Sequence, residues 1–130
     1  MSAALAALKP LRRPGLWAGL WGLAVLGVIV VCLIPPPPID LPENGDKVEH
    51  FLAYFILSGS AVQLFRRGTP LLWAGAGLVL MGVGIEFAQG ALTSTRSADP
   101  MDALANTVGV LSGLATALTP LRDLLLRWRG

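Results

Sequence analysis

Four long apolar segments, separated by short polar ones, dominate the chain. They cover residues 16–34, 48–65, 71–90 and 101–119. The first segment, as an α-helix, is about 28 Å long, close to the ~30 Å hydrocarbon core of a bilayer. Consecutive prolines follow it and Pro120 follows the fourth segment, and proline ends a helix because it lacks an amide donor. The pattern predicts an all-α integral membrane four-helix bundle with four transmembrane spans.

The first apolar segment has one competing interpretation. Basic residues precede it, as they do in a cleaved secretory signal peptide. The segment is longer than the apolar core of such a peptide, and no small-x-small cleavage pattern follows it. We therefore interpret it as a retained transmembrane helix.

Composition agrees with a membrane protein and excludes other classes. The chain is 54% hydrophobic and 14% charged, whereas soluble proteins are about 25% charged. A net charge of +2, spread over separate short segments, gives no basic patch for nucleic acid. The single cysteine, Cys32, excludes a disulfide framework and a metal site built from cysteines.

Basic residues are distributed unevenly around the four predicted helices. Eight of the ten lie in segments that four spans place on one side: Lys9, Arg12, Arg13, Arg66, Arg67, Arg122, Arg127 and Arg129. Because cytoplasmic segments carry the excess of Lys and Arg, both termini are predicted to lie in the cytoplasm. The predicted organisation is a transmembrane domain at 16–120 with basic cytoplasmic tails at 1–15 and 121–130.

Polar residues concentrate at the opposite, outer ends of three predicted helices. They are Asp46, Lys47, His50 and Tyr54 on the second, Glu86 and Gln89 on the third, and Arg96, Asp99, Asp102 and Asn106 before and within the fourth. Asp46, His50 and Tyr54 recur every four residues and so share one helix face. On the fourth helix the polar stripe continues into Gly109 and Gly113, small residues suited to close helix contact. We therefore expect these side chains to form a polar pocket at the outer leaflet.

Ionisable groups inside a membrane are costly, which favours a functional site. Within the pocket, His50 and Glu86 are the predicted catalytic acid–base pair, and Lys47 and Arg96 are predicted to bind phosphate. The remaining predicted ligand-binding residues are Asp46, Tyr54, Gln89, Asp99, Asp102 and Asn106. His50, Glu86, Asp99 and Asp102 could supply hard ligands, so a metal site stays open. No close spacing of these ligands indicates a metal, and neither a metal nor a cofactor is predicted.

Several of these residues also have a structural interpretation. Asp99 is placed to cap the fourth helix, and Asp102 interacts favourably with the helix dipole. Arg96 can pair with either carboxylate to hold the loop. Asn106 can hydrogen-bond between helices, which contributes about 1 kcal/mol. Glu86 is the hardest to explain in this way, because a buried carboxylate requires a partner or a changed pKa.

Two blocks of sequence resemble the VanZ-like family of small membrane proteins. They read D-K-V-E-H-F-L-A-Y-F-I-L at 46–57, and E-F-A-Q at 86–89 followed by R-S-A-D-P-M-D-A-L-A-N-T-V-G-V-L-S-G at 96–113. The family is named for a protein associated with resistance to the glycopeptide antibiotic teicoplanin. The resemblance implies a cell-envelope role in the bacterial cytoplasmic (inner) membrane, without supplying a reaction. It implies site roles for the matching residues, which include all ten polar residues listed above and Gly109.

The residues leave three functional interpretations open. In the first, the pocket binds or processes an envelope lipid or glycopeptide-like ligand at the outer leaflet. In the second, the protein is a non-enzymatic accessory component whose pocket recognises a partner. In the third, the polar cluster only sets helix packing, as buried polar groups can do. No nucleophile elbow, zinc-protease helix or phosphate-binding glycine loop occurs in the sequence, so whether the protein is an enzyme stays open.

Overall fold

The computed structural model describes residues 6–33, 45–92 and 100–129, and most of these residues are helical. The helices are α1 (Pro14–Leu33), α2 (Gly45–Leu64), α3 (Thr69–Leu92), α4 (Pro100–Ala115) and α5 (Leu124–Arg129). Two 3-10 turns, Thr116–Leu118 and Pro120–Asp123, connect α4 to α5. The one pairing of β type in the described ranges is an isolated bridge between Leu8 and Phe65. The predicted all-α class is confirmed.

Three of the helices are long and apolar enough to cross a membrane. These stretches are Pro14–Leu33, which is α1, Thr69–Ala88 in α3, and Met101–Leu118, which covers most of α4 and the 3-10 turn after it. The second predicted span, at 48–65, falls in α2, which is not among them. Its hydropathy is lower because α2 begins with charged residues and contains a run of small and polar ones from Ser58 to Ser60.

Helix α2 packs against the three other long helices and occupies the centre of the bundle. Tyr54 and Leu57 of α2 form a buried apolar cluster with Leu78 of α3 and Val110 of α4. Trp21 of α1 packs against this cluster, and its Nε1 donates a hydrogen bond to the carbonyl oxygen of Leu57 at 2.9 Å. A helix that faces protein on most sides needs less apolar surface than one that faces lipid, which accounts for the composition of α2.

The closest helix pair is α2 with α4, and two glycines make the approach achievable. A Cβ atom on Gly109 would lie 2.5 Å from the carbonyl oxygen of Phe51. A Cβ atom on Gly113 would overlap Oγ of Ser58. That same Oγ donates to the carbonyl oxygen of Gly109 at 3.3 Å, which gives the tight seam a buried polar contact. The predicted role of Gly109 and Gly113 in helix contact is confirmed.

The outer faces of α1 and α3 are strongly apolar. Helix α1 has no buried residue. Large apolar side chains that are more than half exposed include Leu23, Val31, Leu72, Trp73, Leu80 and Phe87. Continuous apolar surface of this extent is unfavourable in water and suits contact with lipid.

The three basic segments of the chain meet at one end of the bundle. The amide of Lys9 donates to the carbonyl oxygen of Leu64 at 2.8 Å, and the amide of Arg66 donates to that of Ala7 at 2.9 Å. These bonds attach the amino-terminal segment to the end of α2 and to the turn that follows it.

Lys9 joins the same segment to the carboxyl-terminal part of the chain. Its side chain is 7% exposed, and its Nζ donates to Oδ1 of Asp123 at 2.8 Å and to the carbonyl oxygen of Arg122 at 2.5 Å. The hydrogen bond from Lys9 holds the pKa of the Asp123 carboxyl below its usual range. The described parts of the segments predicted as basic tails, residues 6–15 and 121–129, are therefore held at the bundle end and to each other.

Candidate functional site

Three helices bring one titratable side chain each to a common point at the other end of the bundle. They are His50 of α2, Glu86 of α3 and Asp102 of α4. The possible ligand atoms of the three side chains all lie within 4.8 Å of one another. Nε2 of His50 is 3.9 Å from Oε1 of Glu86. We call these three residues the acidic triad.

The acidic triad is enclosed by protein. Glu86 is 5% exposed and Asp102 is 8% exposed. The side chain of His50 is 12% exposed. In such surroundings charges interact more strongly than in water, and two neighbouring carboxylates repel each other when both are ionised.

Helical spacing places Asn106 beside the acidic triad. Asn106 lies one turn after Asp102 on α4, and Gly82 lies one turn before Glu86 on α3. A Cβ atom on Gly82 would be 3.1 Å from both Cβ and Nδ2 of Asn106. The missing side chain at Gly82 therefore makes room for the amide of Asn106 directly beside the turn that carries Glu86.

Two further polar side chains are buried in this region. Tyr54, one turn after His50 on α2, and Asn106 are each 1% exposed. Within the part of the chain that the structure describes, the hydroxyl of Tyr54 and Oδ1 of Asn106 have no hydrogen-bond partner. Because buried polar atoms are nearly always hydrogen-bonded, these two mark a place for water or for a ligand.

The structure describes only part of the remaining predicted site residues. Asp46 and Lys47 belong to the first turn of α2 and Gln89 to the last turns of α3, where the structure describes the backbone alone. Arg96 and Asp99 lie outside the described residues. Phosphate binding by Lys47 and Arg96, helix capping by Asp99 and the ligand contacts of Asp46 and Gln89 stay predictions.

A groove of about 390 Å³ between α1 and α2 adjoins the acidic triad. It is lined by Ala24, Gly27, Val28, Val31 and Cys32 of α1 and by Glu49, His50, Ala53 and Tyr54 of α2. Its walls are mainly apolar, and its polar members cluster in the first turns of α2. His50 belongs both to the groove lining and to the triad, so the groove lies beside the polar site.

Sequence reasoning missed this groove. Three small residues signal it: Ala24 and Gly27 stand three positions apart on α1, and Ala53 stands three positions after His50 on α2. Small residues on two apolar helices predict close packing as readily as they predict a gap. The arrangement of the helices decides between the two outcomes.

The geometry permits two kinds of chemistry. The 3.9 Å separation of His50 and Glu86 is too long for a direct hydrogen bond and suits proton exchange through one water molecule. An imidazole and two carboxylates at one point can also coordinate a cation.

Comparison with models of protein families, with curated proteins and with solved structures finds no match to this chain. The resemblance to the VanZ-like family therefore rests on the two sequence blocks at 46–57 and 86–113.

Proposed function

We propose that the chain is a VanZ-like multi-pass protein of the bacterial cytoplasmic membrane that binds an envelope lipid, or a lipid-linked glycopeptide-like molecule, at the outer leaflet. The observation that carries this proposal is that His50 belongs both to the acidic triad and to the lining of the groove between α1 and α2. An apolar groove beside buried polar groups matches a ligand with an acyl chain and a polar head group.

The proposed protein crosses the membrane four times, because α2 is counted as a pass in addition to the three candidate spans. An even number of passes returns the chain to the side of the membrane on which it started. The ion pair between Lys9 and Asp123 agrees with this, because it joins the segment before the first helix to the segment after the fourth. The same end carries the basic residues of all three segments, and basic residues favour the cytoplasm. In this topology both termini are cytoplasmic and the acidic triad faces outward.

Six residues of the site then have a role. The head group lies at the triad, where Tyr54 and Asn106 supply a hydroxyl and an amide oxygen for hydrogen bonds. Lys47 and Arg96 neutralise its phosphate. If the ligand is processed as well as bound, His50 and Glu86 exchange the proton through a bridging water.

A second candidate function has its own support. Asn106 fits against Gly82 between α3 and α4, which is the geometry of a residue that fixes helix packing. In this alternative the protein is a non-enzymatic accessory component, and the polar cluster sets the arrangement of helices and the binding of a partner.

The groove allows a test that leaves the triad unchanged. Gly27 lines the groove and a Cβ atom there would meet nothing within 4 Å, so Gly27→Leu adds bulk at the groove lining at a position that is open for its first side-chain carbon. Gly22 is equally open and lies on the same helix outside the groove lining, so Gly22→Leu is the matched control.

The measurement is native mass spectrometry of protein released from nanodiscs made from bacterial envelope lipids. We expect the parent protein and Gly22→Leu to retain a lipid of one class, and Gly27→Leu to retain at least ten times less. Equal retention by the two leucine variants, or no retained lipid in the parent, would contradict the proposal.

A further inference from the structure

We infer that His50, Glu86 and Asp102 bind one divalent transition-metal ion, with Zn²⁺ as the best-fitting representative. The three residues come from three helices, so their spacing in the sequence gives no metal signature. In the folded chain their ligand atoms lie within 4.8 Å of one another. Close approach of three separate ligand side chains is the first requirement for such a site.

One distance within the triad is close to the distance between two ligands of a bound zinc ion. Two ligands on a tetrahedral zinc, with bonds of about 2.0–2.1 Å, are about 3.4 Å apart. Nε2 of His50 and Oε1 of Glu86 are 3.9 Å apart. Binding therefore requires the ligand atoms of His50, Glu86 and Asp102, now within 4.8 Å of one another, to move closer together around the ion.

The kinds of donor atom narrow the choice of ion. Mg²⁺ and Ca²⁺ take six or more oxygen ligands, and the imidazole of His50 offers a nitrogen. One histidine with two carboxylates gives three protein ligands, the number found in zinc sites that keep a fourth position open. The two carboxylates together neutralise the charge of a divalent ion, which lowers the cost of holding Glu86 and Asp102 close together in a buried site.

The second, independent observation is the pair of buried polar atoms around the triad. The hydroxyl of Tyr54 and Oδ1 of Asn106 have no hydrogen-bond partner within the described ranges, and each residue is 1% exposed. Each stands one turn from a proposed ligand on the same helix face, Tyr54 from His50 and Asn106 from Asp102. Polar groups in this position commonly hold metal ligands or metal-bound water in place.

The metal site does not depend on the proposed lipid ligand. With an ion in place, His50 and Glu86 act as its ligands, and a bound water at the open position replaces them as the source of acid–base chemistry. The open position also accepts an anionic oxygen, which explains how a site with two carboxylates can receive a phosphate-bearing head group.

The test uses the full chain in lipid-free detergent, so that lipid binding does not affect the result. The protein is stripped with EDTA, dialysed and titrated with Zn²⁺ by calorimetry, and bound metal is counted by elemental analysis. We expect one Zn²⁺ per chain. We expect Glu86→Gln and Asp102→Asn to weaken binding at least about 100-fold, beyond the 10–100-fold that loss of an outer partner costs.

Glu49→Gln is the matched control, because Glu49 is an exposed carboxylate beside His50 on α2. It is expected to bind Zn²⁺ as the parent does. Undiminished binding by Asp102→Asn, or uptake far below one ion per chain by the parent, would overturn the inference.

Titration of the parent with Co²⁺ gives a readout that needs no variant. A four-coordinate site produces intense visible absorption, with one equivalent needed for saturation. A titration with no protein-dependent visible band overturns the inference even if the ligand variants fail to fold.

Discussion

Nε2 of His50 lies 3.9 Å from Oε1 of Glu86, although the two residues belong to different helices and are buried at their contact. Asp102 of a third helix completes the group. Among the described residues, this is the one place where three titratable ligand side chains converge. Substitutions in the triad therefore allow the stability of the bundle to be compared with and without these side chains.

Glu86→Gln and His50→Ala test whether the triad is kept for function or for folding. Groups kept for function often occupy unfavourable surroundings, so we expect the melting temperature of metal-free protein in detergent to stay unchanged or to rise. Differential scanning fluorimetry measures it. A loss of several degrees in both variants would indicate that the triad holds the helices together.

Gly113→Ala tests the contact between α2 and α4. The added Cβ atom would overlap Oγ of Ser58 and would lie 2.7 Å from the backbone nitrogen of Gly59. Overpacking of this kind costs about 1–3 kcal/mol, so we expect a clear fall in melting temperature.

Gly22→Ala is the control for that substitution. Nothing lies within 4 Å of a Cβ atom at Gly22, and alanine favours a helix over glycine by up to about 1 kcal/mol. Its stability should therefore equal or exceed that of the parent. Equal stability of Gly113→Ala and Gly22→Ala would disprove the close contact.

Trp21→Phe tests how α1 is attached to the bundle. The substitution removes the hydrogen bond from Nε1 to the carbonyl oxygen of Leu57 and keeps an aromatic ring beside Phe65. One such bond contributes about 1 kcal/mol. We expect a modest loss of melting temperature and faster hydrogen exchange at α1 amides, with no change in exchange at α4. Unchanged exchange throughout α1 would show that the bond does not hold the helix.

The ion pair of Lys9 and Asp123 makes stability depend on pH in the acid range. Because Lys9 lowers the pKa of Asp123 in the folded protein, the contribution is complete above the ordinary carboxyl pKa of about 3.9. This contribution to stability is lost as the pH falls through the lowered pKa that Asp123 has in the folded protein. The carboxyl of Asp123 is 40% exposed, so the contribution is about 1 kcal/mol or less.

The melting temperature of Asp123→Asn should therefore be below that of the parent at neutral pH and equal to it at strongly acid pH. Thermal melts across the acid range provide the comparison. A difference that persists undiminished at the lowest pH would show that the charge of Asp123 is not its cause.

The helices of this chain are predicted well because their signals are local. The expected segments 16–34 and 71–90 correspond to α1 and α3 within a few residues. Only α2 departs from the pattern, because its interior position relaxes the requirement for apolar residues that lipid imposes on α1. The predicted fourth segment, 101–119, also holds, with its last turn as a 3-10 helix after Ala115.

Contacts between distant parts of the chain could not be predicted in the same way. Helical spacing places His50 and Tyr54 on one face and Asp102 and Asn106 on another, but the crossing of the helices decides which faces meet. Lys9 illustrates the limit most clearly. As a lysine in a short basic segment it is typical of a solvated tail, and its burial follows from partners more than a hundred residues away.

The attachment of Lys9 to Asp123 also has a consequence for biosynthesis. The partners of the buried ammonium lie 113 and 114 residues further along the chain, so the amino-terminal segment cannot complete its contacts until that part has been synthesised. During that interval α1 is held to α2 by apolar packing and by the bond from Trp21. This end of the bundle therefore closes only after the segment around Asp123 has followed all four long helices out of the ribosome.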